Sequence, residues 1–202
     1  MSLVSRLNGF KPVKTLTGPF TGMANMYFVP ASDATVLMVG DLVKIAGDAR
    51  SPTGVPTVTR VTATTDPIVG VVVGFTFEGM GDVQNVPPVN DLNTPVYRRP
   101  STDRYVMVID DPQVTFEVQT SVPILTADIG LNVSPRLTTG STATGASGMD
   151  LDMSTKATTA TLGLKLVGFP YRPDNNVTDA FTSVYVKINN HQYNSGTGTA
   201  GL

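Results

Sequence analysis

The residue types that most often carry chemistry are scarce in this 202-residue chain: one histidine (His191), no cysteine, no tryptophan and two glutamates, Glu78 and Glu117. Without a thiolate, thiol chemistry is excluded, and one imidazole cannot build a histidine-rich zinc site. A Ser-His-Asp centre would have to use His191, yet no G-x-S-x-G elbow occurs. In Asn189-Asn190-His191-Gln192-Tyr193 the histidine reads as a polar strand-end residue hydrogen-bonded to a neighbour.

Paired carboxylates are the other route to acid–base work, and Asp110 with Asp111 or Asp150 with Asp152 are the nominal pairs. Adjacent side chains diverge, and Asp110-Asp111-Pro112 has the composition of a turn whose backbone the aspartates themselves hydrogen-bond. Asp150-x-Asp152 and Asp174-Asn175-Asn176-x-x-Asp179 set oxygen ligands at short spacing, but neither follows the twelve-residue calcium loop, and turn chemistry accounts for both. No phosphate-cradling G-x-x-x-x-G-K-[ST] is present, and two formal glycosylation sequons stand at Asn132 and Asn176. Tyr97, Tyr105, Tyr171, Tyr185 and Tyr193 lie beside expected strands rather than gathered as a carbohydrate platform. The expectation is therefore no catalytic, cofactor or metal site, and no enzyme.

Composition states what the scaffold is. Valine (27) and threonine (28) dominate, while charged residues make only 15% of the chain. β-Branched side chains lose freedom in helices and pack well on a pleated surface, so an all-β protein is expected, with at least about 35% strand and under about 15% helix. A net charge of −2 supplies no basic face for phosphates, so nucleic acid is not an expected partner. Met1 to Phe10 has one arginine and no continuous apolar stretch, and no 18 apolar residues run together anywhere, so neither a secretory address nor a membrane contact is expected.

Residues 1–31 carry Arg6, Lys11 and Lys14, no acidic residue, and proline or glycine at six positions. This predicts an extended N-terminal arm. Its apolar side chains, Phe10, Phe20, Met23, Met26, Tyr27 and Phe28, need cover, either from a partner, with the three basic residues facing it, or from the chain's own body as a belt. Residues 32–193 form the expected β domain, a single barrel or a jelly-roll-like sandwich. Its strands are expected near 35–39, 42–45, 58–64, 68–77, 105–109, 114–119, 129–133, 161–169 and 181–189. The run Ile68 to Phe77 is continuous and apolar enough to be buried on both faces, whereas Tyr105–Ile109 and Val114–Gln119 read as a hairpin turning at Asp110-Asp111-Pro112. Val71, Val73, Phe75, Phe116, Val118 and Ile188 are the expected core. Glu78 to Pro95 and residues 138–161 read as long loops, the second polar, and 194–202 as a flexible tail.

Four stretches resemble head decoration, or cement, proteins of tailed bacteriophages: Val39-Gly40-Asp41-Leu42-Val43, Asp66 through Gly74, Tyr105 through Pro112, and Val184 through Tyr193. The resemblance spans roughly residues 35–193. It implies a structural virion protein, made in the host bacterial cytoplasm, that binds the outside of the major capsid shell as a dimer or trimer and steadies the DNA-filled head. It implies no catalytic residues. The alternative is a β-rich receptor- or glycan-binding module of a tail fibre or spike.

Overall fold

The computed structural model describes residues 5–6, 8–15, 17–76, 95–194 and 198–201. The protein is all-β, with 43% strand and two sheets. Eleven strands are described: β1 (Lys11–Lys14), β2 (Asn25–Val29), β3 (Leu42–Arg50), β4 (Val55–Arg60), β5 (Gly70–Phe75), β6 (Arg104–Ile109), β7 (Thr115–Gln119), β8 (Asn132–Arg136), β9 (Asp150–Ala157), β10 (Leu164–Gly168) and β11 (Ser183–Ile188). Apart from one 3-10 turn at Thr126–Asp128, no helix occurs among the described residues. The long loop expected from Glu78 lies, up to residue 94, outside the described residues.

The strands are divided between two sheets rather than drawn into one. The first has six strands in the order β1-β7-β11-β10-β8-β9. In the second, β2-β4-β3-β5-β6, the pairings return on themselves, since β2 runs antiparallel to β6 and meets β4 through Phe28 and Thr57.

Alternation along the strands builds two cores from one set of residues. Leu42, Val71 and Ile109 pack with the first sheet's Phe116, Val118, Leu164 and Val186. Their neighbours Val43, Val72 and Val108 point the other way and fill the second sheet with Tyr27, Val29 and Val58. Successive side chains of a strand face opposite sides, so a strand between two cores must be apolar at every position, as the run from Ile68 is. Of the expected core, Val71, Phe116, Val118 and Ile188 are buried, while Val73 and Phe75 are half-buried where β5 leaves the interface between the sheets. Gly70 is needed there: a Cβ on it would stand 2.1 Å from the Ile109 carbonyl oxygen.

Four expectations need correction, the arm among them. The β6–β7 hairpin does not form, because β6 pairs with β2 and β5 in the second sheet whereas β7 pairs with β1 and β11 in the first. Asp110 to Gln113 is thus a crossover between sheets, and turn composition alone does not say whether flanking strands pair. The polar stretch 138–161 contains β9, whose Leu151 and Met153 are buried while Ser154 and Lys156 face water. The tail is tied down over its described part, with Gly201 N–H donating to the Thr158 carbonyl and Asn132 Nδ2 to the Thr199 carbonyl.

The largest departure is residues 1–31. β1 pairs with β7, and β2 is one of the strands that close the second sheet. Phe10, Tyr27 and Phe28 are buried in the chain's own cores, so the belt alternative describes this segment. Phe10 reaches its place through a glycine contact: Gly9 sits at φ +65°, where a Cβ would meet the Gly40 carbonyl oxygen at 2.4 Å, and Phe10 N–H donates to that same oxygen at 3.0 Å.

Candidate functional site

The side chains most able to do chemistry meet where the two sheets join. β2 supplies Asn25 and Tyr27, the crossover supplies Asp110, and the segment leaving β11 supplies His191 and Tyr193. Asn25 Nδ2 lies 2.9 and 3.0 Å from the two Asp110 carboxylate oxygens, and Tyr27 donates its hydroxyl to Oδ2 at 2.6 Å. With that proton committed, the Tyr193 hydroxyl at 2.9 Å is the donor to Tyr27. Burial, then the hydrogen bond to Asp110, pushes the Tyr27 phenol far above its usual range. It stays protonated at neutral pH.

His191 is fully buried, and its Nδ1 accepts the Tyr193 N–H at 3.1 Å, the neighbour contact its sequence setting predicts. That bond places the neutral ring's proton on Nε2, which has no hydrogen-bond partner. Burial lowers the imidazole's pKa against the opposing pull of Asp110 and Asp111. The backbone around it is a strap. Ile68 N–H donates to the Asn190 carbonyl, Gln192 N–H donates to the Ile68 carbonyl, and Gln192 Oε1 accepts from Ile45 N–H at 2.7 Å. The segment leaving the first sheet is thereby pinned onto β3 and onto Ile68, two residues before β5, in the second. With His191 fully buried, the hydrogen bonds of this cluster tie the segment after β11 to β2 and the crossover, as a latch does.

A pH dependence follows. An unfolded histidine titrates near 6.5, and the folded one lower, so in the interval between them only the unfolded chain binds the proton. The stability His191 contributes is complete above about pH 6.5 and is lost as pH falls toward the folded value. Buried Asp41 and Asp150, whose pKa values are raised by burial, push in the opposite direction on acidification, so the His191 part must be read by difference. The urea midpoint of the His191→Gln variant is expected to fall less than that of the unaltered protein between pH 7.5 and 5.5. Parallel curves would contradict the latch.

The carboxylates singled out by spacing are occupied elsewhere. Buried Asp150 takes a two-pronged ion pair from Arg136, and Asp152 Oδ1 accepts from the Ser154 N–H and hydroxyl. Asp174 stands 3.6 Å from Arg172 Nε, and Asp111 Oδ1 accepts from Gln113 N–H. No three His, Cys, Asp or Glu side chains gather into a metal-binding group among the described residues.

The side chains expected to meet a partner are split. Phe10, Tyr27 and Phe28 are internal, Phe20 and Met26 are half-buried, and Met23 is 79% exposed. Arg6 and Lys11 are exposed beside one open groove, while Lys14 stands 5.2 Å over the Tyr185 ring. Sequence reasoning missed Arg98, which is buried and central. Its guanidinium donates to the carbonyls of Pro30, Asp33, Thr35 and Thr102 at 2.6–2.9 Å. Nothing in Tyr97-Arg98-Arg99-Pro100 marks the first arginine as internal and its neighbour as exposed.

No protein-family model, curated protein or solved structure matches the chain. No helix among the described residues is long and apolar enough to cross a membrane.

Proposed function

We propose that the chain is a structural virion protein, a decoration protein that binds the outside of a tailed phage's major capsid shell, oligomerises with itself and catalyses nothing. The observation that carries this reading is where the charge goes. Arg98 is spent on four carbonyls, and Asp41 on the Ser147 hydroxyl, the Met38 N–H and Arg60. Asp150 is spent on Arg136, and His191 is sealed in its latch. Buried charge used to lock loops yields a stiff body, which a shell subunit needs, since its task is complementary contact rather than a tuned pocket. The resemblance of residues 39–43, 66–74, 105–112 and 184–193 to cement proteins supports the same assignment. Of the side chains of the N-terminal segment expected to meet a partner, Arg6, Lys11, Lys14 and Met23 are the exposed ones.

Co-sedimentation with expanded shells of its own phage tests the proposal. Saturable recovery in the shell fraction at a fixed ratio to the capsid protein is expected. A protein that stays in the supernatant at every concentration, while binding isolated receptor glycans or cell-surface material, is instead the tail-fibre or spike module.

A further inference from the structure

The open groove between the start of β1, β7 and the loop from Pro170 to Phe181 combines three features. The first is Tyr171, fully exposed on a loop that is firmly held. Asn175 Nδ2 donates to the Pro170 and Ser183 carbonyls, and Asn175 Oδ1 accepts from Ser183 N–H. An aromatic ring presented on a pre-ordered loop loses little freedom on binding. The second is the Arg172–Glu117 pair, joined at 2.6 and 3.2 Å and only partly covered. It sets a donor fork directly beside an acceptor carboxylate. The third is Arg6 and Lys11, both exposed and without an ion-pair partner among the described residues.

We propose that this groove binds an acidic saccharide, a glycan bearing uronate groups. A sugar hydroxyl donates and accepts through one atom, so a side-by-side donor and acceptor can both be met by neighbouring hydroxyls, whereas a peptide divides the two roles between its N–H and its C=O, which point in opposite directions. Tyr171 offers an apolar ring face with a polar tip, matching the apolar face and polar rim of a pyranose. Arg6, Lys11 and Arg172 outnumber Glu117 and Asp174 along the groove, which leaves it net positive toward a negative charge on the ligand. The inference does not rest on the virion assignment, and either can fail alone.

Titration calorimetry of the full chain with tetragalacturonate, maltotetraose and tetraglutamate decides it. Tetragalacturonate is expected to bind, at least tenfold tighter than maltotetraose and tetraglutamate. Tyr171→Ala and the Arg6→Ala/Lys11→Ala pair are each expected to weaken it at least tenfold with unchanged urea midpoints, and only the second to lessen its salt dependence. Absence of tetragalacturonate binding overturns the proposal, as does undiminished binding by Tyr171→Ala. Equal affinity for tetraglutamate also overturns it, and makes the groove a docking site for acidic peptide.

Discussion

Removal of residues 1–31 is expected to abolish cooperative folding. The truncated chain lacks β2, without which β4 and β6 of the second sheet lose their shared partner and expose two rows of unpaired backbone. It also lacks Phe10, Tyr27, Phe28 and Val29, all buried. Each such side chain contributes about 1.5 to 3 kcal/mol when buried, and four together rival the roughly 5 to 15 kcal/mol that separates an ordinary folded domain from its unfolded chain. Far-ultraviolet circular dichroism and a urea melt of the truncated chain check this, the expected result being no sigmoidal transition. A melt at the full-length midpoint would return the segment to the status of a free arm.

Replacing Arg98 by methionine is expected to cost about 3 to 5 kcal/mol, read as a lowered urea midpoint. Methionine fills much of the stem's volume but leaves the carbonyls of Pro30, Asp33, Thr35 and Thr102 without their shared donor. The turn after β2 and the strand-like contact between Leu37 and Arg98 would loosen together. Arg98→Lys should also destabilise, because a compact ammonium with three donors cannot span the four carbonyls that the planar fork reaches. A loss below about 1 kcal/mol for Arg98→Met would mean that water replaces the guanidinium without penalty.

What was legible in the sequence was local. The Val/Thr excess and scarce glutamate announced strands, and the unbroken apolar run at Ile68 to Val72 announced a strand with a core on each side, because both are properties of one segment and its solvent. Which strands meet was not legible. Val114, Phe116 and Val118 alternate correctly, yet the same alternation serves a partner in either sheet, so pattern cannot distinguish a hairpin from a crossover. Dense proline and glycine in residues 1–31 suggested an arm, although β2 is short enough to fit between the breakers and β1 accommodates Pro12 because it is an edge strand. Leu151 and Met153 were the signal for β9, diluted by the threonine and serine around them. At the candidate site, His191 was legible as a strand-end residue, but its company was not, since Tyr27 and Asp110 lie 83 residues apart.

That separation has a consequence for how the chain must be made. β2 has no antiparallel partner until β6 has left the ribosome, and β1 waits longer for β7. At 5 to 20 residues per second the interval is on the order of ten seconds, during which Phe10, Tyr27, Phe28 and Val29 lack the cover that β6 and β7 give them. Closing so long a stretch of chain before any contact rewards it is entropically uphill, which makes folding slow and essentially post-translational. Nascent chains should therefore engage holding chaperones through the apolar side chains between Phe10 and Val29, and let go only after the crossover at Asp110 has emerged.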